Sequence, residues 1–357
     1  MFDKKTVKDV PINGQVVLVR TDYNVPLDGV GAITDDLRIK ASLPTIEYLL
    51  ENGAKKVVLM SHLGRPEGKR DPSMSLRPVV ARLQELLPNT PVRFVDDVCG
   101  PDVEAAVEAL PKGGILLLEN LRFSADEERN SEDFAQEIVD STHADLFVQD
   151  GFAVVHRAHA STDAITHLLP SVAGLLLEKE VTNLTAAVDH PEHPLLVIIG
   201  GAKVEEKQPM IDTFLPIADK IVVGGKIAAD GYTNDDAKVY VAEDFVSDDA
   251  GAKLDIGPVS TGKIVEMINE AKTVVWNGLM GKAEESAYAL SSAAVAEAMG
   301  KSRAVTIIGG GDTAGFVENL IKSEPNLHYT LISTGGGASL DLLSGKALPG
   351  LDALEDK

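Results

Sequence analysis

The sequence predicts an α/β protein: two Rossmann-like, three-layer lobes with mostly parallel sheets, joined by a helical hinge. Three observations carry this reading. Short, nearly continuous apolar runs alternate with helical patterns, which is how strands read when both faces of a parallel sheet are covered. The runs fall into two series, divided by the polar, proline-containing stretch Asp189-His-Pro-Glu-His-Pro194. A chain of 357 residues also exceeds one comfortable core, so two domains are the natural arrangement.

In the first series the β-branched run Val16–Arg20 is a short strand. Thr45–Asn52 continues a helical pattern, and Gly53 ends it because glycine closes a helix without steric cost. Lys56–Met60 is the next strand. A helix over about Leu76–Leu87 leads to the strand Val92–Val95, and Asp102–Leu110 reads as helical before the strand Ile115–Leu118. A helix near Ser131–Ser141 precedes the strand Leu146–Val148. Ser171–Val188 has helical spacing through Leu175, Leu176, Val181 and Leu184, which places the connector between the lobes there. The second series of strands is Leu195–Ile199, Lys220–Val223, Lys238–Val241, Thr273–Trp276, Ala304–Ile308 and Tyr329–Ser333, with mostly helical segments between. Open α/β sheets bind ligands beyond the carboxyl ends of their strands. The loops beginning at Arg20, Ser61, Glu119, Gln149, Gly200, Gly224, Asn277, Gly309 and Thr334 are therefore where a site is expected.

Composition narrows the function classes. Apolar residues make up 44% and charged residues 25%, ordinary globular values. The formal charge of -22, from 33 basic and 55 acidic residues, argues against a broad nucleic-acid footprint. It also makes clustered cations telling, because an anionic ligand of an acidic protein needs a local positive patch. Ten of the 11 arginines precede residue 158. Cys99 is the only cysteine, so no internal disulfide can form and a small buried hydrophobe is its expected role. No apolar run approaches the roughly 18 residues of a membrane-spanning helix, and Met1–Val10 lacks a signal-peptide pattern. The expectation is a soluble cytoplasmic monomer with neither nucleic acid nor membrane as partner.

The arginine-rich half reads as an anion holder. In Arg20-Thr-Asp-Tyr-Asn24, Asp22 and Asn24 lie two apart. An extended loop would face them the same way, able to bond a hydroxyl or carboxylate. The plain alternative is an Asx-type turn before Pro26. Arg38 opens a helix, where a surface ion pair is the default. Ser61-His-Leu-Gly-Arg-Pro66 sets His62 and Arg65 just beyond a strand, Arg122 follows an Ile-Leu-Leu-Leu-Glu-Asn run, and His156-Arg-Ala-His159 follows a further strand. One arginine beyond a strand says little. Four loops delivering Arg or His to one sheet edge point to a phosphate or carboxylate site. His156-x-x-His159 also has metal-ligand spacing, but no cysteine cluster supports a closed zinc site.

The second half ends its strands in glycine. Gly200-Gly-Ala-Lys-Val-Glu-Glu-Lys207 closes a strand and opens a helix. Glycine backbone, free helix N–H groups and the i, i+4 pair Lys203 and Lys207 together suit phosphate; two lysines paired with Glu205 and Glu206 are the plain reading. Gly309-Gly-Gly-Asp-Thr-Ala314 repeats the pattern and adds a carboxylate. Asp312 could hold magnesium on a nucleotide phosphate, and the Thr313 hydroxyl could bind phosphate. Gly309-x-Gly311-x-x-Ala314 also matches a dinucleotide fingerprint, which leaves a nicotinamide or flavin oxidoreductase as a rival. That fingerprint wants an acid at the end of the next strand, and here the strand ends Ile-Ser-Thr-Gly-Gly-Gly337. Gly257-Pro-Val-Ser-Thr-Gly-Lys-Ile264 has phosphate-loop spacing, but isoleucine stands where the magnesium-binding hydroxyl belongs. It reads as a turn into a helix.

Taken in order, RTDYNVP (20–26), SHLGRP (61–66), ILLLENLRF (115–123), HRAHAS (156–161), GGAKVEEK (200–207), DIGP (255–258), VVWNG (274–278), IIGGGDT (307–313) and STGGGASLDLLSGKALPG (333–350) resemble phosphoglycerate kinase over about residues 13 to 353. The resemblance implies reversible phosphoryl transfer between 1,3-bisphosphoglycerate and MgADP, giving 3-phosphoglycerate and MgATP. It implies that Asp22 and Asn24 contact the glycerate's carboxyl and hydroxyl end. His62, Arg65, Arg122 and Arg157 would form the basic patch for its distal phosphate, and Arg38 would neutralise the reacting carboxylate. Lys203 would follow the migrating phosphoryl group and Lys207 the nucleotide phosphates. Asp312 would position Mg²⁺, Thr313 would assist at the phosphate, Glu284 would touch the ribose, and Gly201, Gly224, Gly225, Asn277 and Gly311 would line the nucleotide pocket. The last segment would return to the first lobe. That gives a phosphoglycerate-binding domain of residues 1–170 with 346–357, an interdomain helix over 171–188, a nucleotide-binding domain of 189–345, and closure bringing the ligands together.

The sequence departs from the family's pattern in places. The usual Asn-Asp-Ala-Phe-Gly string is Gln149-Asp-Gly-Phe-Ala153. Leu279 and Ala283 replace a proline and a phenylalanine, Lys282 a valine, and Gly224-Gly-Lys-Ile-Ala228 a glycine-rich string ending Met-Ala. The helix and linker that follow are abbreviated. These changes crowd around the expected adenine and ribose pocket, not the phosphate path. They motivate a further alternative, a catalytically dead relative acting as an interaction protein.

Overall fold

The computed structural model describes residues 2–357. The chain divides into two compact units: one runs up to Lys179 and takes in Ala347–Lys357, and the other is Glu180–Lys346. The helix Leu175–Asp189 contains the boundary.

The first unit is built on β1 (Val16–Arg20), β2 (Lys56–Met60), β3 (Val92–Phe94), β4 (Gly114–Leu117), β5 (Leu146–Gln149) and β6 (Ser171–Ala173). Their order in the sheet is β3-β4-β2-β1-β5-β6, with every neighbouring pair parallel. β1 is buried at all five positions, as a central strand covered on both faces must be. Val17, Val19, Val57, Leu59, Leu117 and Val148 from the strands meet Ile46 and Leu49 from the helix Leu37–Glu51 in one core. Each such side chain contributes roughly 1.5–3 kcal/mol by leaving water.

β6 departs from the expected helix over Ser171–Val188. Ser171, Val172 and Ala173 pair with Phe147, Val148 and Gln149, and the helix begins only at Leu175. Backbone pairing to a free sheet edge outweighs local helical spacing here. The far side of the edge is taken too: the Val7 amide donates to the Ala173 carbonyl at 2.9 Å and the Glu355 amide to the Ser171 carbonyl at 3.0 Å.

The second unit contains β7 (Leu195–Ile199), β8 (Lys220–Val223), β9 (Val239–Val241), β10 (Phe245–Ser247), β11 (Lys253–Ile256), β12 (Thr273–Asn277), β13 (Val305–Gly309) and β14 (Leu331–Ile332). Six form a parallel sheet in the order β14-β13-β12-β7-β8-β9, and β10 and β11 form a separate antiparallel pair. Trp276 is fully buried in the core with Ile198, Val222, Val274 and Ile308, and its indole N–H donates to the Gly278 carbonyl at 2.8 Å, the partner a buried indole needs. The sequence reading lacks the β10–β11 pair, whose strands are three and four residues long. Gly257-Pro-Val-Ser-Thr-Gly-Lys-Ile264 is indeed a turn into a helix, Pro258–Glu270, with Pro at its start, and Lys263 pairs with Glu243.

Candidate active site

In the first unit the loops after β1, β2, β4 and β5 interlock through charged side chains. Arg20 ends β1 with no exposed surface. Its Nε donates to Ser161 Oγ at 2.7 Å and its Nη1 to the Thr21 carbonyl at 2.5 Å, and Nη2 lies 3.8 Å from Glu127 Oε1. The Ser161 hydroxyl and amide donate to the same carboxylate at 2.6 and 3.1 Å. A buried charge persists only when paired and bonded in this way, so Arg20 and Glu127 are the footing of the site.

Above that footing, Asp22 Oδ2 lies 2.7 Å from Arg38 Nη1, which also donates to the Asn24 carbonyl at 3.1 Å. Asp22 Oδ1 accepts the Asn24 amide at 3.0 Å, the Asx geometry, while Asn24 Oδ1 accepts the Gly64 amide at 2.9 Å and ties the first loop to the second. Arg122 Nη1 donates to the Gly64 carbonyl at 3.0 Å, and its Nε stands 3.1 Å from Glu128 Oε1. Arg65 and Arg157 are exposed, and neither guanidinium has a hydrogen bond or ion pair among the described residues.

The electrostatics follow from this crowding. Burial, then the charges of Arg20, Arg122 and Arg38, holds the His62 pKa well below the usual imidazole value. Burial, then Arg20, Arg122 and Arg157, pushes His159 down to about 3. Both rings are neutral at physiological pH, so His62 offers hydrogen bonds rather than charge. Two imidazoles stripped of protons beside guanidinium groups mark a strongly positive place. Among the described residues the one group of three side chains close enough to share a cation is the exposed trio Glu104, Glu108 and His143, which includes neither His156 nor His159.

The second unit carries a cavity of about 590 Å³ lined by Gly201, Lys203, Lys207, Gly225, Asn277, Glu284, Gly311, Asp312 and Thr313, among others. Its floor is backbone. Gly278 has φ 97°, and a Cβ there would stand 2.3 Å from the Gly200 carbonyl oxygen. Gly225 has φ 62°, and its Cβ would stand 2.8 Å from the Gly201 amide nitrogen. The three glycine loops cross at distances that no side chain permits. Gly224 does not line the cavity; it is buried behind it, where a Cβ would meet Met280 Sδ at 2.7 Å.

Lys203 sits just before the helix Val204–Phe214, largely exposed, with Nζ 2.8 Å from Glu206 Oε1. Lys207, one turn on, is half-buried and donates to the Asn277 side-chain oxygen, and burial lowers its pKa. Asp312 is exposed in the first turn of the helix Gly311–Ser323. Thr313 Oγ1 accepts the Gly278 amide at 2.9 Å, which leaves its own proton to donate. Helix starts, an ammonium pair and glycine backbone together suit phosphate. Asp312 suits Mg²⁺, which takes one or two carboxylates and fills its other positions with phosphate oxygens and water.

Some supporting residues are absent from the sequence reading. Gly336 and Gly337 line the cavity; the loop beginning at Thr334 is among those where a site is expected, but neither glycine is singled out there. Glu180, fully buried, accepts the Thr334 amide at 2.7 Å and hydroxyl at 2.9 Å; an acid inside a helical pattern gives no such hint. Arg20 was seen as a loop start, but its footing role depends on Glu127 and Ser161, far away in sequence. Cys99 is half-buried rather than buried, and burial followed by the neighbouring Glu137 pushes its thiol up to about 12, far from a nucleophile's range.

The family model described as phosphoglycerate kinase matches residues 7–233 and 227–346. The phosphoglycerate kinase of Chloroflexus aggregans is 43% identical over 404 aligned positions, covering 99% of this chain and 100% of the relative. That of Herpetosiphon aurantiacus is 42% identical over 401 positions, covering 100% of each. Among solved structures, phosphoglycerate kinase from Pyrococcus horikoshii superposes with a TM-score of 0.86 at 28% identity, over 99% of this chain and 98% of that one. The Coxiella burnetii structure gives 0.78 at 31%, over 98% of each.

Proposed function

The chain belongs to the phosphoglycerate kinase family and catalyses reversible phosphoryl transfer between 1,3-bisphosphoglycerate and MgADP, giving 3-phosphoglycerate and MgATP, and we propose how its own residues divide that work. The observation that carries the division is the pair of exposed guanidiniums, Arg65 and Arg157, left without protein partners, Arg157 within reach of the Arg122 charge. They receive the distal phosphate of the glycerate, with neutral His62 adding a hydrogen bond. Asp22 and Asn24 hold the carboxyl and hydroxyl end. Arg38, anchored through one nitrogen by Asp22, keeps its other N–H groups for the reacting carboxylate.

In the direction of acyl phosphate synthesis, a carboxylate oxygen forms a bond to the γ-phosphorus while the bond from that phosphorus to the β-phosphate oxygen breaks. ADP leaves with the electron pair. The nucleophile is already ionised, so no general base is needed, and the rate rests on alignment and charge stabilisation. Lys203 exchanges its exposed partner Glu206 for the migrating phosphoryl oxygens. Lys207 and Thr313 hold the nucleotide phosphates, and Asp312 would hold Mg²⁺, which would supply positive charge to the phosphates. Gly201, Gly225, Gly311 and Asn277 shape the pocket, Gly224 supports it from behind, and Glu284 meets the ribose. Residues 1–170 and 346–357 serve the glycerate, residues 189–345 the nucleotide, and the segment 171–188 connects them. Transfer requires acceptor and donor within about 3–3.5 Å.

No helix among the described residues is long and apolar enough to cross a membrane; a monomer working in the cytoplasm fits the acidic chain. Calorimetry tests the division. Arg157→Ala should weaken 3-phosphoglycerate and leave MgADP unchanged, and Lys207→Ala should do the reverse. If either variant moved the other ligand instead, the roles are wrongly assigned.

A further inference from the structure

We propose that the base end of the second unit's cavity selects a 6-oxopurine, so that guanosine or inosine triphosphate is used in preference to ATP. The proposal rests on reading that cavity as the nucleotide site. Its phosphate end is fixed by the starts of the helices Val204–Phe214 and Gly311–Ser323, where Lys203, Lys207 and Asp312 sit. The other wall is built by β11, by the loop after β12 and by the helix Gly225–Ala229.

Three contacts gather that wall. Asp255 and Gly281 form an antiparallel bridge, the Lys282 amide donates to the Leu254 carbonyl at 2.8 Å, and Lys253 Nζ donates to the Ala229 carbonyl at 3.2 Å. Lys226 lies three residues before Ala229 on one helical face, and both line the cavity. Lys226, Lys253 and Lys282 therefore surround one end of a single cavity, and no aromatic side chain among the described residues lines it. The two family-model matches also meet near this end, at residues 227–233.

The three ammoniums have only weak protein ties. Lys226 Nζ is 2.7 Å from Asp230 and Lys282 Nζ 2.5 Å from Glu285, both pairs exposed, and exposed pairs contribute little. Lys253 also stands 4.4 Å from the centre of the Phe245 ring. Each ammonium has three donors, so donors remain for a ligand. The carboxylates beside these lysines are engaged, Asp230 by Lys226 and Glu285 by Lys282. Asp255 already receives the Ser291 hydroxyl and amide and the Ile256 amide. Adenine presents an amino donor at position 6, which a wall of donors opposes; guanine and hypoxanthine present a keto acceptor there, flanked by the N7 acceptor.

The test is kcat/KM with ATP, GTP and ITP at saturating 3-phosphoglycerate. The expected result is about a tenfold advantage for both oxopurines, the discrimination of one well-placed donor. Lys253→Met with Lys282→Met should erase that advantage, and Lys253→Arg should retain it. Calorimetry with MgGDP and MgADP should show the same order of affinities whatever the variants' turnover. ATP equal to or better than GTP in the unaltered enzyme overturns the proposal and leaves the family reaction intact. Equal losses for all three nucleotides in the double variant also overturn it. Absence of turnover with every triphosphate would sink the phosphoryl-transfer reading itself, a distinct failure.

Discussion

The two proposed sites would meet anions by opposite means. In the first unit the proposed holders are guanidinium groups, Arg38, Arg65, Arg122 and Arg157, while Arg20 is buried against Glu127, Arg38 pairs with Asp22 and Arg122 with Glu128. In the second, backbone shapes the floor: Gly200, Gly225 and Gly278 cross too closely for any side chain, and only a few lysines add charge. The difference tracks the ligands. A small glycerate with charges at both ends is read by planar forks at fixed angles. A polyphosphate chain is read by amides and helix starts, which approach more closely than any side chain. The first site should therefore fail when atoms are removed, and the second when atoms are added.

Lys203 breaks that rule, and it should produce the largest effect. It is the exposed side chain at the start of the helix Val204–Phe214, and the proposed mechanism asks it to stabilise charge that moves. Removing one such donor typically costs on the order of 10²–10³ in turnover. Lys203→Ala should lose about that much kcat in a coupled assay, with 3-phosphoglycerate affinity nearly unchanged. A kcat within a factor of about two of the unaltered enzyme would take Lys203 out of the chemistry.

Gly278→Ala tests the backbone half directly. A methyl group there would sit 2.3 Å from the Gly200 carbonyl oxygen on a backbone at φ 97°. Strain and overpacking together should cost roughly 2–4 kcal/mol, read as a lowered urea midpoint and lost MgADP binding. Normal stability and binding would mean that the loops yield, and the contrast between the units would weaken.

Arg65→Ala tests the side-chain half. A charge-assisted bond to phosphate is lost, and no protein partner is stranded. The affinity for 3-phosphoglycerate should fall about 10- to 100-fold, while kcat at saturation changes little. Unchanged affinity would exclude Arg65 from the basic patch.

The same contrast explains what the sequence made legible. Both parallel sheets were readable because their strands are continuous apolar runs, and β1, β2, β7 and β8 begin and end where those runs do. The glycine strings were readable because a positive φ at Gly201, Gly278 or Gly310 leaves its mark in the residue type itself. β6 was not, because Ser171–Ala173 is a strand only by virtue of β5 beside it. The electrostatic footing was not either. Nothing local in Glu127 or Ser161 says that each will meet Arg20, and the lowered pKa of His62 depends on burial first and then on arginines from three separate segments. Backbone requirements are written locally; side-chain networks are written in the tertiary structure.

A last and smaller test asks whether the first unit's dependence on side chains extends to pH. Asp150 is buried beyond β5, accepting the Thr45 hydroxyl at 2.7 Å and the Leu176 amide at 3.0 Å. Burial raises its pKa to about 7, partly opposed by those donors. A carboxyl whose folded pKa lies above its unfolded value of 3.8 binds more protons in the native state than in the unfolded one. Its contribution to stability is therefore fully present below that unfolded value and is lost as pH rises through about 7. Asn cannot titrate, yet its carbonyl oxygen can still accept from Thr45 and Leu176. Urea unfolding between about pH 5 and about pH 8 should thus show the advantage of the unaltered chain over Asp150→Asn shrinking as pH rises. The glycine loops of the second unit have no titrating group to produce such a drift, so Gly278→Ala should show a pH-independent offset. Parallel curves for Asp150→Asn would mean that Asp150 keeps one protonation state throughout, and that its hydrogen bonds, not its burial, set the balance.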